Sequence, residues 1–295
     1  MTHFLTLFPK SDDRKADSST IGGEVSQGAN GVPDLGTVRV EDVNIQKECR
    51  LVVYTDPRSP GADRFRYLRI RLREPWEAGK LKTVLITSAL PKDGKSTVAI
   101  NLASALSEHG KKRVLLIEAD LHRPTLASML GLKAGPGLAE CLGSDVNPLP
   151  FIRRLQPLGW YLMTAGGKCT NPTEILTSGA LPDLLSRLSP HFDWILIDSP
   201  PVIPITDALS VARDVDAILM VVRAGSTPRD LVQRALALLG RKKLVAVVLN
   251  GLEGLNKMYS RYGYYDDYSS NGGENTQGTA LDSPTAKVKS LGGRP

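Results

Sequence analysis

Several features are scarce in this 295-residue sequence, and each absence excludes something. No stretch reaches the ~18 apolar residues of a membrane span. The N-terminal run MTHFLTLFPKSDD lacks the cationic flank and long apolar core of a signal peptide. The expected location is therefore the cytoplasm, and any place at the inner face of a membrane requires a partner. The three cysteines, Cys49, Cys141 and Cys169, have no metal-ligand spacing, and their scarcity suits a reducing compartment. A formal net charge of +6 is mild, and the Lys and Arg residues are dispersed. That excludes the concentrated basic face of a nucleic-acid binder, and no nucleic-acid partner is expected. Aromatic residues make up only 5% of the chain, and five of its eight tyrosines fall between Tyr259 and Tyr268.

Hydrophobic content of 41% is enough for a substantial core, but it is unevenly spread. Residues 1–44, rich in Ser, Gly, Asp and Pro, read as a flexible N-terminal arm. Residues 257–295 are Gly, Ser, Asn, Tyr and charge, and read as a disordered tail. Between them, residues 45–256 alternate two patterns. Continuous apolar runs occur at Val84–Thr87, Arg113–Ile117, Trp160–Met163, Trp194–Ile197, Ala217–Val222 and Val245–Leu249. Segments of helical spacing occur at Ser96–His109, near Pro182–Leu188 and at Asp230–Leu239. Buried strands alternating with amphipathic helices predict an α/β fold: a doubly wound, mostly parallel sheet covered on both faces. Ligands on such sheets bind at the carboxyl ends of the strands.

One such end carries Ala89-Leu-Pro91-Lys92-Asp93-Gly94-Lys95-Ser96-Thr97, which fits [G/A]-x4-G-K-[ST] between a strand and a helix. Gly94 permits the tight turn that aims successive backbone N–H groups at phosphates. The following helix adds about half a positive charge at its N-terminus. Lys95 is expected to reach the β- and γ-phosphates of ATP, and the Ser96 hydroxyl to ligate Mg²⁺. Two further strand ends carry carboxylates: Glu118 and Asp120 after Val114–Ile117, and Asp198 after Trp194–Ile197. Mg²⁺ requires oxygen ligands, for which Asp120 and Asp198 are candidates, and a carboxylate can accept a hydroxyl proton. Lys95, Glu118, Asp120 and Asp198 are therefore the candidate catalytic residues. Arg223 and Asn250, each at a strand end, are candidates for the adenine.

Together these segments resemble the bacterial tyrosine kinases of capsule and exopolysaccharide synthesis, which are P-loop NTPases related to the MinD/ParA group. In that family the phosphate loop is followed by an acidic motif, hhhDxDxR, and then by a Walker B strand. The resemblance runs from about Ser59 to Leu252 and takes in Asn171–Glu174, Thr206–Ala208 and Val221–Ala224. It implies an ATP- and Mg²⁺-dependent tyrosine autokinase whose own tail is the substrate, with Tyr259, Tyr262, Tyr264, Tyr265 and Tyr268 phosphorylated by a neighbouring subunit. It also implies that Asp63, Arg66 and Arg69, which match the family's E-x2-R-x2-R helix, join subunits into a ring. A separate membrane adaptor of the polysaccharide co-polymerase type is the implied activator. The chain departs from the family pattern in carrying Glu118 in place of Asp, His122 in place of Arg and Asp63 in place of Glu.

Two alternatives stay open at this point. One is a non-kinase ATPase of the MinD/ParA kind, which would carry a lysine where this chain has Leu90. The other is a weakly active regulatory subunit that binds ATP for a polysaccharide assembly complex.

Overall fold

The computed structural model describes residues 4–7, 35–46, 49–144 and 146–252. The tyrosine cluster and the expected boundary after residue 256 lie outside the described residues. Among the described residues, nine strands form one sheet: β1 (Phe4–Leu7), β2 (Arg39–Asp42), β3 (Thr83–Ser88), β4 (Val114–Glu118), β5 (Arg153–Gln156), β6 (Trp160–Met163), β7 (Trp194–Asp198), β8 (Ala217–Arg223) and β9 (Leu244–Asn250). Their order across the sheet is β1-β9-β8-β3-β7-β4-β6-β5-β2. Only the β1/β9 and β5/β6 pairs are antiparallel. The doubly wound expectation holds. The flexible-arm reading of residues 1–44 needs correction, because Phe4–Leu7 pairs with β9 and Arg39–Asp42 pairs with β5. Both are short edge strands of four residues, and Arg39–Asp42 lacks the apolar run that marks a central one.

The six apolar runs became the six strands β3, β4, β6, β7, β8 and β9. The side-chain period of 2 sends their residues to opposite faces. Val84, Ile86, Leu116 and Leu196 pack on one face with Val98 and Leu102 of the helix α3 (Lys95–Ser107). Leu85, Ile117, Ile195 and Ile197 pack on the other with Leu184, Leu185 and Leu188 of the helix Ala180–Leu188. Trp160 is completely buried on the α3 side and donates its indole N–H to the Ser104 hydroxyl at 2.9 Å.

The helix α2 (Pro60–Glu77) has a complete start signal. Ser59 is its N-cap and accepts from the Ala62 N–H at 3.2 Å, Pro60 opens the first turn, and Asp63 complements the positive end. Phe65, Leu68 and Leu72 turn inward to the core. The expected segment Ser59–Arg69 is thus the first part of a longer helix.

Registration across the sheet sets the level of the strand ends. Glu118 lies opposite Asp198, Ile86 lies opposite Asp198, and Arg223 lies opposite Asn250. The chain therefore delivers its candidate polar residues to one level at one edge. Leu116, fully buried at the centre of β4, tests this frame. Leu116→Ala should cost about 2–5 kcal/mol in urea unfolding; an unchanged midpoint would contradict the packing described.

Candidate nucleotide site

The loop between β3 and α3 is built around two left-handed positions, Lys92 at φ 67° and Gly94 at φ 96°. A Cβ on Gly94 would fall 2.0 Å from the Asn250 Nδ2, so only glycine fits. Lys92 adopts this conformation without the freedom of glycine, a cost that has to be held by its surroundings. Asn250 Nδ2 donates to the Asp93 carbonyl at 2.9 Å, and the Arg223 guanidinium reaches the Lys92 carbonyl at 3.5 Å. The buried Asp93 carboxylate accepts from the Thr227 hydroxyl at 2.7 Å and from the Leu90 N–H at 3.2 Å. Burial pushes the Asp93 carboxyl up, against the pull of those two donors. Arg223 and Asn250, expected at the adenine, thus brace the phosphate loop from the ends of β8 and β9. Thr227 was not foreseen; nothing in its local sequence marks it, because its partner is 134 positions away.

Lys95 begins α3, and its Nζ lies 3.1 Å from Asp120 Oδ2 and 3.4 Å from the Ser96 Oγ. Pro91 is exposed at the loop's tip. Thr97, one turn into α3, gives its carbonyl to Asn101 Nδ2. Burial works against the Lys95 ammonium, yet the charges of Asp198, Asp120 and Glu118 outweigh it and raise its pKa. Asp120 Oδ1 accepts the Arg123 N–H at 3.0 Å, which closes the turn after β4.

Asp198 is different. Its side chain is almost wholly buried, and neither of its carboxylate oxygens has a hydrogen-bond partner. Burial pushes its carboxyl up to about 7, against the pull of Lys95 and of the nearby Ser96 hydroxyl. A buried orphan carboxylate is costly, and one beside a phosphate loop is where a cation would be accommodated. No three His, Cys, Asp or Glu side chains among the described residues form a ready-made metal cage. That fits Mg²⁺, which takes one or two protein oxygens and completes its shell with water and phosphate. Ser96 and Asp198 fit such an ion; Asp120 offers less, since both its oxygens are engaged.

Glu118, expected to be catalytic, is held by backbone amides. Its Oε1 accepts the N–H groups of Thr125 and Leu126, the latter at 2.6 Å, and its Oε2 accepts the Ala165 N–H at 3.1 Å. Burial raises its pKa while these amides oppose the rise. Glu118 therefore ties the loop after β4 to the loop after β6.

Arg69 lies on α2. It donates to the Ala105 carbonyl at 3.3 Å, near the end of α3. Asp63 and Arg66 form an i,i+3 pair on the surface of α2. The exposed stripe of that helix includes Tyr67 and Ile70, which are 52% and 59% exposed.

Comparison with known proteins agrees with this geometry. Residues 81–253 match the ParA family described as a NUBPL iron-transfer P-loop NTPase. The chain is 31% identical over 217 residues to the tyrosine-protein kinase YwqD of Bacillus subtilis, covering 73% of this chain and 90% of that protein. The chain belongs to the bacterial tyrosine kinases, within the P-loop NTPases. The solved kinase domain of the Escherichia coli tyrosine kinase ETK superposes with a TM-score of 0.64 at 27% identity, over 68% of this chain and 79% of that one. The kinase is also 31% identical over 242 residues to the succinoglycan biosynthesis transport protein ExoP of Rhizobium meliloti, of which it spans only 31%. No described helix of the kinase is long and apolar enough to cross a membrane.

Asp198 makes the site's electrostatic cost measurable. Its folded pKa of about 7 lies above the ordinary carboxylate value of about 3.9, so its favourable contribution is complete below pH ~4 and is lost as pH rises to ~7. Asp198→Asn should therefore raise the thermal midpoint of the nucleotide-free kinase at pH 8, and the gain should shrink as pH falls toward 4.5. A gain of the same size at both pH values would remove the buried-charge interpretation.

Proposed function

We propose that this chain is an ATP- and Mg²⁺-dependent tyrosine autokinase that phosphorylates its C-terminal tyrosines between subunits. The observation that carries the reading is the orphaned, buried Asp198 facing Lys95 at the mouth of a braced phosphate loop. Mg²⁺, held by Ser96 and Asp198 through oxygen and water, would neutralise the phosphates and polarise the γ-phosphorus. Lys95 plays two parts. It now neutralises Asp120 at 3.1 Å; incoming phosphates compete for the same ammonium. Once Lys95 turns to them, Asp120 Oδ2 is released to accept the tyrosine proton. The phenolic oxygen then bonds to the γ-phosphorus, the bond to the β–γ bridging oxygen breaks, ADP leaves with that electron pair, and the proton passes to Asp120. A tyrosine hydroxyl has an ordinary pKa of about 10, so a poised base is needed near neutral pH. Arg223 and Asn250, beside the loop, are our proposed contacts for the base of the nucleotide.

The regulation of polysaccharide synthesis or export is proposed from the company this chain keeps, the ExoP relative among it. A membrane adaptor with a cytoplasmic docking segment would recruit the kinase to the inner face of the membrane. Ring assembly would run through α2, with Asp63 and Arg66 at its rim and Ile70 in the contact, while Arg69 steadies α3 behind it. Each phosphotyrosine adds about −1.5 to −2. Five would outweigh the net charge of +6, so phosphorylated tails would repel one another and loosen the ring.

Phosphotyrosine mapping after incubation with ATP·Mg²⁺ tests the chemistry. Label is expected on Tyr259, Tyr262, Tyr264, Tyr265 and Tyr268, and should vanish in Lys95→Ala; phosphate released with no labelled tyrosine would establish an ATPase instead. Light scattering tests the assembly. Ile70→Asp should shift the protein toward monomer by tenfold or more in dissociation constant, and an unaltered mass would remove α2 from the interface.

A further inference from the structure

The loops after β4, β6 and β7 leave the same sheet edge and meet at one carboxylate that neither metal binding nor proton transfer employs. Asp207 opens the helix Asp207–Asp214 after β7 and is completely buried. Its Oδ2 lies 2.9 Å from the Nε2 of His122, in the loop after β4. Its Oδ1 accepts the Thr173 hydroxyl at 2.7 Å, from the helix Pro172–Thr177 after β6. His122 is two residues from Asp120, and the Arg123 N–H closes the turn onto Asp120 Oδ1. The side chain of His122 is therefore the lateral anchor of the turn that aims Asp120 at Lys95.

We infer that Asp207 is a positioning residue for phosphotransfer: through His122 it fixes the turn that carries Asp120, with Thr173 holding the Asp207 carboxylate in its orientation. The inference rests on the kinase reading for the identity of the reaction, but its geometric content concerns Asp120 alone. A buried carboxylate with two partners from two other loops is a costly feature to keep in a core. Loops without such a tie are the low-stability end of a fold. Displacement of a reacting group by about 1 Å costs on the order of 100-fold in rate. The tie to Asp207 also gives a reason for the residue at 122. Either an imidazole or a guanidinium can donate to a carboxylate at this place, so histidine preserves the anchor that an arginine would make.

The test uses the full chain and four variants: His122→Ala, His122→Arg, Asp207→Asn and the His122→Ala/Asp207→Asn double. Turnover is followed as both phosphotyrosine formation and phosphate release, and MgADP affinity is measured by calorimetry. His122→Ala is expected to lower kcat by roughly 10- to 100-fold with MgADP affinity within about twofold of wild type. His122→Arg should recover most of that loss, and the double variant should be no slower than the slower single variant. Should Asp207→Asn fail to fold, the Ala and Arg variants at 122 still decide the matter. The inference is overturned if His122→Arg is no faster than His122→Ala, if the two single losses multiply in the double variant, or if nucleotide affinity falls in step with kcat. Wild-type turnover as phosphate release without phosphotyrosine would defeat the kinase reading alone; the same comparisons on phosphate release would then judge the anchor.

Discussion

Everything at the sheet edge is arranged around the ammonium of Lys95. It is largely buried, 3.1 Å from Asp120, and it carries the charge that Asp198 and Glu118 also feel. One cation among three carboxyl groups leaves the site short of positive charge. A triphosphate entering alone would deepen that deficit and would have to take Lys95 away from Asp120. A divalent cation entering with the phosphates reverses the balance, and the orphaned oxygens of Asp198 are the natural place for its water shell. On the proposed reading, a metal would relieve the charge imbalance of a poorly solvated corner, where each unpaired charge is expensive.

The backbone holds this corner by means that act over long separations. Parallel registration puts Glu118 beside Asp198 and Arg223 beside Asn250. From those strand ends, Asn250 and Arg223 reach the loop carbonyls, and Thr227 reaches the Asp93 carboxylate. The left-handed conformations at Lys92 and Gly94 are maintained by these contacts. A loop so braced can present its amides to phosphate with little reorganisation on binding.

The central strands, the phosphate loop and the three strand-end carboxylates were legible because each is written locally: an apolar run, a spaced motif, an acid after a run. The edge strands were not. Arg39–Asp42 has three exposed residues of four, so no periodicity announces it, and its place is decided by parallel pairing with Arg153–Gln156 more than a hundred residues away. Side-chain contacts are hidden from the sequence for the same reason. A sequence shows that Asn250 ends a strand; it does not show that Gly94 leaves room for its amide. It shows arginines three apart on a helix, but not that Arg69 bends back to the end of α3.

Glu118 and His122 depart from the family pattern, and the structure makes each departure intelligible as a division of labour. The carboxylate of Glu118 accepts from the amides of Thr125, Leu126 and Ala165. Glutamate thus joins two loops while its charge is still felt by Lys95 and Asp198. His122 does the complementary thing with Asp207, joining the same turn to a third loop. On the proposed reading, proton transfer falls to Asp120 and the cation to Asp198, and that division follows their partners: Asp120 is held by Lys95 and by the Arg123 N–H, whereas neither oxygen of Asp198 has a hydrogen-bond partner.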